Sequence, residues 1–193
     1  MITSAESFLT IQGVYRWWVT RNLNADHLPI YLNMEDPRNS VLQGHIASSN
    51  PLWKAVSDTR EVLVIFQGSN AYISPNWLPS KGKDGRVVPT WNYSAVQVKG
   101  TIAFIQEDSW KLELLNRQTL FHEKDFENPW RVSDAPPEFV AELLPNIVGF
   151  EIAVKDIFGK FKLSQNQSQE NRKGIMDALD QRGHEMAKSI SQG

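Results

Sequence analysis

The chain has 193 residues, 41% of them hydrophobic and 22% charged, a formal net charge of -2 and no cysteine. That length gives a single domain with a substantial core, and the composition is that of an ordinary soluble globular protein. The missing cysteines exclude disulfides, thiolate catalysis, iron–sulfur clusters and cysteine-ligated zinc, and the slightly acidic balance weighs against a dedicated nucleic-acid binder.

In chain order, the dense aromatics of residues 13–19, with Tyr15, Trp17 and Trp18, predict a strand. A second follows at 28–32, an edge or strand start because Pro29 offers no N–H. Residues 35–39 read as a turn and 41–47 as a strand. Asn50-Pro51 starts a short helix running to Val56, with Asn as cap and Pro at the first position. Residues 62–66 form an apolar, β-branched run, the signature of a buried strand and far too short to cross a bilayer. Gly68-Ser69-Asn70 is predicted to turn it back onto 71–74 as a hairpin, and 76–86 reads as a basic loop.

Residues 88–106 alternate over a long strand, with Gly100 the expected bend. Asp108 caps a helix to about Phe121, whose inner side is read as Leu112, Leu115 and Leu120. Ser133 to Pro137 announces a helix over 138–144. The next strand alternates through Phe150, Ile152 and Val154, turns at Gly159 and continues extended to Ser164. Ser168 opens the last clear helix, with Ile175 and Leu179 inward, and Gly183 closes it; the tail beyond is one more helical piece or frays. Many short strands without regular β–α alternation argue for an α+β, predominantly β chain: an antiparallel barrel with peripheral helices and a C-terminal helical extension over about 168–193.

Nucleotide loops of the Gly-x-Gly-x-x-Gly or Walker type are absent, as is the Gly-x-Ser-x-Gly elbow. The four histidines have no metal-ligand spacing. His27 and His45 read as either hydrogen-bonded core imidazoles or ligand contacts. In Thr90-Trp91-Asn92-Tyr93, strand parity puts Thr90 and Asn92 on one face and the two rings on the other. That stretch is either aromatic core or the edge of a small-molecule site. Lys160, Lys162, Ser164, Gln165 and Asn166 gather at a strand end just before a helix, with Arg172 one turn further on. This is chemistry for a phosphate, or for ordinary capping.

Seven stretches occur in order: Asp26-His27-Leu28-Pro29, Gly44-His45-Ile46-Ala47, Tyr72-Ile73-Ser74-Pro75, Val88-Pro89-Thr90-Trp91-Asn92-Tyr93, Trp130-Arg131-Val132-Ser133-Asp134-Ala135-Pro136, Gly149-Phe150-Glu151-Ile152 and Lys162-Leu163-Ser164-Gln165-Asn166. Over residues 24–182 the chain thereby resembles the PaiB family, described as FMN-binding negative transcriptional regulators. The resemblance implies a split β-barrel related to pyridoxamine-phosphate oxidase and flavin-reductase barrels. It further implies a homodimer with FMN near the subunit interface. Thr90, Trp91, Asn92 and Tyr93 would line the flavin with His45 nearby, while Lys162, Ser164 and Gln165 would hold its phosphate. Three positions depart from the family pattern: Ser48 and Gln167 stand where basic residues are usual, and Asn171 replaces an Asp. Two fewer cations lower the expected affinity for a phosphate. The N-terminal segment is shorter than the pattern and matches it poorly.

The leading expectation is a cytoplasmic, dimeric, FMN-binding protein of PaiB type. The rival is a flavin- or haem-dependent oxidoreductase of the same superfamily, although no catalytic residue is identifiable. Direct DNA binding is not expected. The helix from Ser168 to Arg182 mixes acidic and basic residues as a solvated face does, so any regulatory effect is read as indirect, through a ligand or partner.

Overall fold

A computed structural model describes residues 16–19, 25–33, 40–55 and 61–192. Among them the architecture is α+β. Seven strands form one sheet: Arg16–Val19 (β1), Ala25–His27 (β2), Ile30–Asn33 (β3), Val41–Ala47 (β4), Glu61–Ile73 (β5), Thr90–Ile105 (β6) and Ile147–Lys162 (β7). Their order across the sheet is β2-β1-β5-β6-β7-β4-β3. Six helices accompany them: Leu52–Ala55 (α1), Lys81–Asp84 (α2), Asp108–Glu123 (α3), Pro137–Leu143 (α4), Gln169–Asp180 (α5) and Met186–Gln192 (α6). No described helix is long and apolar enough to cross a membrane.

The chain divides into two compact units. One comprises Met1–Phe66 and Gln97–Phe158, the other Gln67–Val96 and Gly159–Gly193. Each of β5, β6 and β7 contributes residues to both.

In the first unit β1 pairs antiparallel with β2 and β5, and β4 with β3 and β7. The register of β4 on β7 sets Leu42 against Ile152 and Gly44 against Phe150. These apolar side chains, with Val64 and Ile102, are wholly buried. Burying a residue of this size contributes about 1.5–3 kcal/mol, which is why period-two patterning fixes the register so firmly. In the second unit a separate core gathers Ile73, Leu78, Leu163, Ile175, Leu179 and Ile190. Ser168 caps α5 by accepting from Asn171 N at 3.2 Å, and Gly183 takes φ 63° beyond the helix end, both as the sequence predicts. The tail is helical: α6 buries Met186 and Ile190.

Several local expectations are overturned. Gly68-Ser69-Asn70 makes no turn, because β5 runs unbroken from Glu61 to Ile73. What changes there is the face. Buried positions are Val62, Val64 and Phe66 before it, but Ala71 and Ile73 after it. The small residues mark a switch of inward parity between two cores, not a reversal. β7 likewise passes through Gly159 without turning. At Gly100 the backbone also makes a close approach: a Cβ there would lie 2.5 Å from the Ala153 carbonyl oxygen. The loop predicted at 76–86 contains a 3-10 turn, Pro75–Trp77, and the short α2.

In α3 the inward stripe is Lys111, Leu114 and Gln118, not Leu112, Leu115 and Leu120; Leu120 is 54% exposed. The Lys111 ammonium donates to the Leu144 carbonyl at 2.7 Å and pairs with Asp108 at 2.7 Å, so a buried charge is met by a carboxylate and by a carbonyl that also accepts from Ile147 N. His27 closes β2, a short strand that the sequence does not predict, and Pro29 lies just before β3, an edge strand as expected. The predicted strand residues 13–15, the turn at 35–39 and the helix end at Val56 lie outside the described residues.

Candidate functional site

Two of the predicted pairs meet in the second unit. Thr90 opens β6 and Lys162 closes β7, and the Lys162 ammonium donates to Thr90 Oγ1 at 2.6 Å. Both are at least partly open to solvent. Beneath them Asn92 and Ser164 are buried and bonded to each other. Asn92 Nδ2 donates to Ser164 Oγ at 2.8 Å, and Ser164 Oγ donates to Asn92 Oδ1 at 3.2 Å. Ser164 has φ 61°, the only non-glycine among the described residues in the left-handed region. That conformation costs on the order of 1 kcal/mol and persists only where surrounding contacts over-determine it.

Trp91 stands on the opposite face of β6. Its ring is 52% exposed and lies 6.1 Å from the ring of Tyr72, which is 48% exposed. Its indole Nε1 donates to Asn70 Oδ1 at 3.1 Å, so the ring is oriented even though it is open. Tyr93 shares that face and is half-buried. Sequence reasoning missed Asn70, which it placed in a turn; with the strand continuous, Asn70 is within reach of Trp91.

Gln165 spends its amide locally. Its Oε1 accepts from Leu163 N at 2.8 Å and its Nε2 donates to Phe161 O at 2.8 Å, which stitches the end of β7. Gln167 accepts from Asn171 Nδ2 at 2.9 Å, and Asn171 also donates to Ser80 Oγ at 3.0 Å. Positions 167 and 171 therefore form one neutral amide network at the start of α5. Arg172 donates through Nη2 to Ile190 O at 2.7 Å, fastening α6, and its Nε is buried without a partner. Lys162 and Lys160 are the cations of this cluster that are exposed.

His45 belongs to the first unit, in a second polar cluster. It is half-buried and bonded to the buried Gln118. Burial holds its pKa below the usual 6.5, and the hydrogen bond to Gln118 partly offsets this. Two residues away on the same face of β4, the buried Gln43 donates to Glu151 Oε1 at 2.6 Å. Gln43 Oε1 and His45 Nδ1 are both buried without a hydrogen-bond partner. The imidazole is therefore a neutral group within a packed polar layer.

A flavin mononucleotide requires a cation and hydroxyls for its phosphate and a flat apolar platform for its rings. Lys162 uses one of its three N–H donors on Thr90, and the Thr90 hydroxyl can still donate. The Trp91 ring supplies an oriented and open apolar face, with the Tyr72 ring inclined at 59° beside it. The residue types present fit the group, with the cation and the rings on opposite faces of β6. No group of three or more metal-ligating side chains occurs among the described residues.

Comparison with known proteins agrees. A family profile described as "Putative FMN-binding domain" matches residues 9–156, which includes His45 and Thr90 to Tyr93 and ends before Lys162. The protease synthase and sporulation protein PAI 2 of Bacillus subtilis (strain 168) is 34% identical over 171 residues, covering 87% of this chain and 78% of that protein. Among solved structures, the flavocytochrome Anf3 of Azotobacter vinelandii aligns with TM-score 0.57 at 9% identity, over 89% of this chain and 73% of the other. The FAD and heme binding protein of Mycobacterium smegmatis aligns with TM-score 0.54 at 13% identity, over 89% and 77%. At such identities these two speak to fold alone, and the fold is the split barrel.

Proposed function

This chain belongs to the PaiB family of FMN-binding proteins, and from that premise we propose that it binds FMN at the ends of β6 and β7 and acts as a ligand-dependent regulator. The observation that carries the placement is the exposed Lys162–Thr90 pair, a cation and a hydroxyl at 2.6 Å with donors to spare. Lys162 and Thr90 hold the phosphate, Trp91 and Tyr72 present a surface for the isoalloxazine, and Tyr93 borders it. Asn92, Ser164 and Gln165 shape the strand ends rather than meet the ligand, since their polar atoms bond within the protein. Bound FMN supplies the redox chemistry of its ring system; the chain supplies orientation and charge.

The cation and the rings stand on opposite faces of β6. One flavin meets both from one chain only by passing round the strand's start at Thr90. A homodimer offers an easier arrangement, in which one subunit gives its cation face and its partner gives its ring face. The protein is read as a single split-barrel domain with a C-terminal helical extension, working in the cytoplasm as such a dimer.

The regulatory part follows the name of the Bacillus subtilis relative. With a net charge of -2, and acidic residues mixed among the basic ones on the helix from Ser168 to Arg182, the effect is indirect, through a ligand or protein partner. The second reading is a flavin- or haem-dependent oxidoreductase, which the names of the fold relatives favour.

The experiment is reconstitution with FMN, desalting, and an absorption spectrum, followed by a fluorescence titration of wild type and Lys162→Ala. Retained flavin absorbance, with affinity lost in the variant, supports the site. A desalted protein without flavin absorbance refutes FMN binding, and equal affinities refute the placement. Reduction by NADH or NADPH faster than free flavin would favour the enzyme reading. Salt-sensitive, sequence-specific duplex binding would overturn indirect action.

A further inference from the structure

The ends of β6 and β7 are joined by two side-chain rungs of unequal character. The outer rung is Thr90–Lys162, open to solvent; the inner is Asn92–Ser164, buried. Each joins residues 72 apart in the chain, and each strand end contributes residues spaced by two. The inner rung binds nothing else that a ligand would need. Asn92 is fully buried, Ser164 is 6% exposed, and the amide and hydroxyl bond each other in both directions.

We propose that Asn92 and Ser164 form a positioning clamp that sets the Lys162 ammonium at Thr90 before the ligand arrives, without touching the ligand. The inference rests on the flavin reading above. Its physical core is the turn after β7. Ser164 takes a left-handed φ of 61° where Gly or Asn would be the usual choice. Serine there makes sense if the hydroxyl is needed, and the hydroxyl's two bonds both go to Asn92. The clamp ties the backbone two residues past Lys162 to the backbone two residues past Thr90. The long lysine side chain then starts from a fixed anchor. A phosphate meets a preset donor pair and forfeits less side-chain freedom in binding it.

This is a positioning role, so its signature is loss of affinity for the phosphate end alone. The test compares FMN with riboflavin, which lacks the phosphate, by fluorescence titration of the full chain. The variants are Lys162→Ala, Ser164→Gly and their double. Ser164→Gly removes the hydroxyl at a position whose positive φ glycine adopts without strain, but it leaves the buried Asn92 amide unpartnered, so its thermal midpoint is measured alongside and affinities are compared well below that midpoint. The expected result is an FMN affinity about 10-fold lower for Lys162→Ala and about 3- to 10-fold lower for Ser164→Gly. Riboflavin affinity is expected to stay unchanged, and the double variant to be no weaker than Lys162→Ala. If Ser164→Gly leaves FMN affinity intact while Lys162→Ala lowers it, the clamp is refuted and the site stands. Equal losses for FMN and riboflavin in Ser164→Gly, or full additivity in the double variant, also overturn the clamp. If Lys162→Ala itself changes nothing, the flavin placement fails, and the clamp with it.

Discussion

The two polar clusters treat their hydrogen-bonding capacity in opposite ways. Around β4, Gln43 and His45 are drawn into a packed layer, and an acceptor on each is left without a partner. At the ends of β6 and β7 the buried pair Asn92–Ser164 bonds within itself and free donors stand at the surface on Lys162 and Thr90, while the one orphan nearby among the described residues is Arg172 Nε in the helix that follows. A buried orphan costs stability and is hard for a ligand to reach; an exposed donor on a satisfied foundation costs little and is ready to bind. The comparison teaches where to look for a ligand. The unmet group matters less than the group that stays free once its supports are satisfied.

The sharpest way to break this contrast is Asn92→Ala. It opens a cavity and strips Ser164 of both bonds, so a loss of about 2–4 kcal/mol is expected by denaturant unfolding. A loss below about 1 kcal/mol would mean that the inner rung supports little. Next comes subunit mixing. Lys162→Ala and Trp91→Ala are each expected to lose most FMN binding. If one flavin spans two subunits, dimers re-formed from an equal mixture should recover about a quarter of the sites, counted by bound flavin. No recovery would return the whole site to one chain.

A smaller effect concerns His45. Its folded-state pKa is held below 6.5 by burial. The unfolded state therefore takes up a proton first as pH falls, and stability present above about pH 6.5 declines on acidification. Denaturant midpoints between about pH 7.5 and about pH 5 should fall for wild type, and His45→Gln should flatten that slope. An unchanged slope would contradict a buried neutral imidazole. A last change is Gln43→Met. The carbonyl it removes has no partner, but the amide N–H it also removes donates to Glu151 Oε1 at 2.6 Å, so a loss of about 1–2 kcal/mol is expected by denaturant unfolding. A loss above about 3 kcal/mol would show that Gln43 Oε1 is satisfied as well, erasing the contrast between the clusters.

Local chemistry was readable in the sequence wherever one residue decides the outcome. Ser168 as a cap, Ile175 and Leu179 as an inward pair, and the parity of residues 90–93 all rest on neighbours within one turn or one strand. The FMN-binding family and the split-barrel class were legible too, through ordered motifs. Failures came where distant partners decide. Gly68-Ser69-Asn70 has turn composition, yet the packing on either side of it keeps the strand extended and changes only the inward face. In α3 a lysine takes the inner stripe in place of three leucines, its ammonium bonded to the carbonyls of Leu144 and Ile147, 33 and 36 residues away. The Asn92–Ser164 rung, spanning 72 residues, leaves no local trace, and neither does the bond that spends Arg172 on α6.

Lys111 carries one more consequence. Its ammonium is 3% exposed, and it is tied to the carbonyls of Leu144 and Ile147 and to Asp108. An amine reagent needs an accessible nitrogen, and this one is buried while α3 keeps its place. Lys111 should therefore be spared when exposed lysines such as Lys83 and Lys155 are methylated or acylated. Its labelling by pulsed acylation and peptide mass analysis would then time the moment at which α3 leaves the 144–147 segment, giving the first unit a built-in chemical clock for local opening.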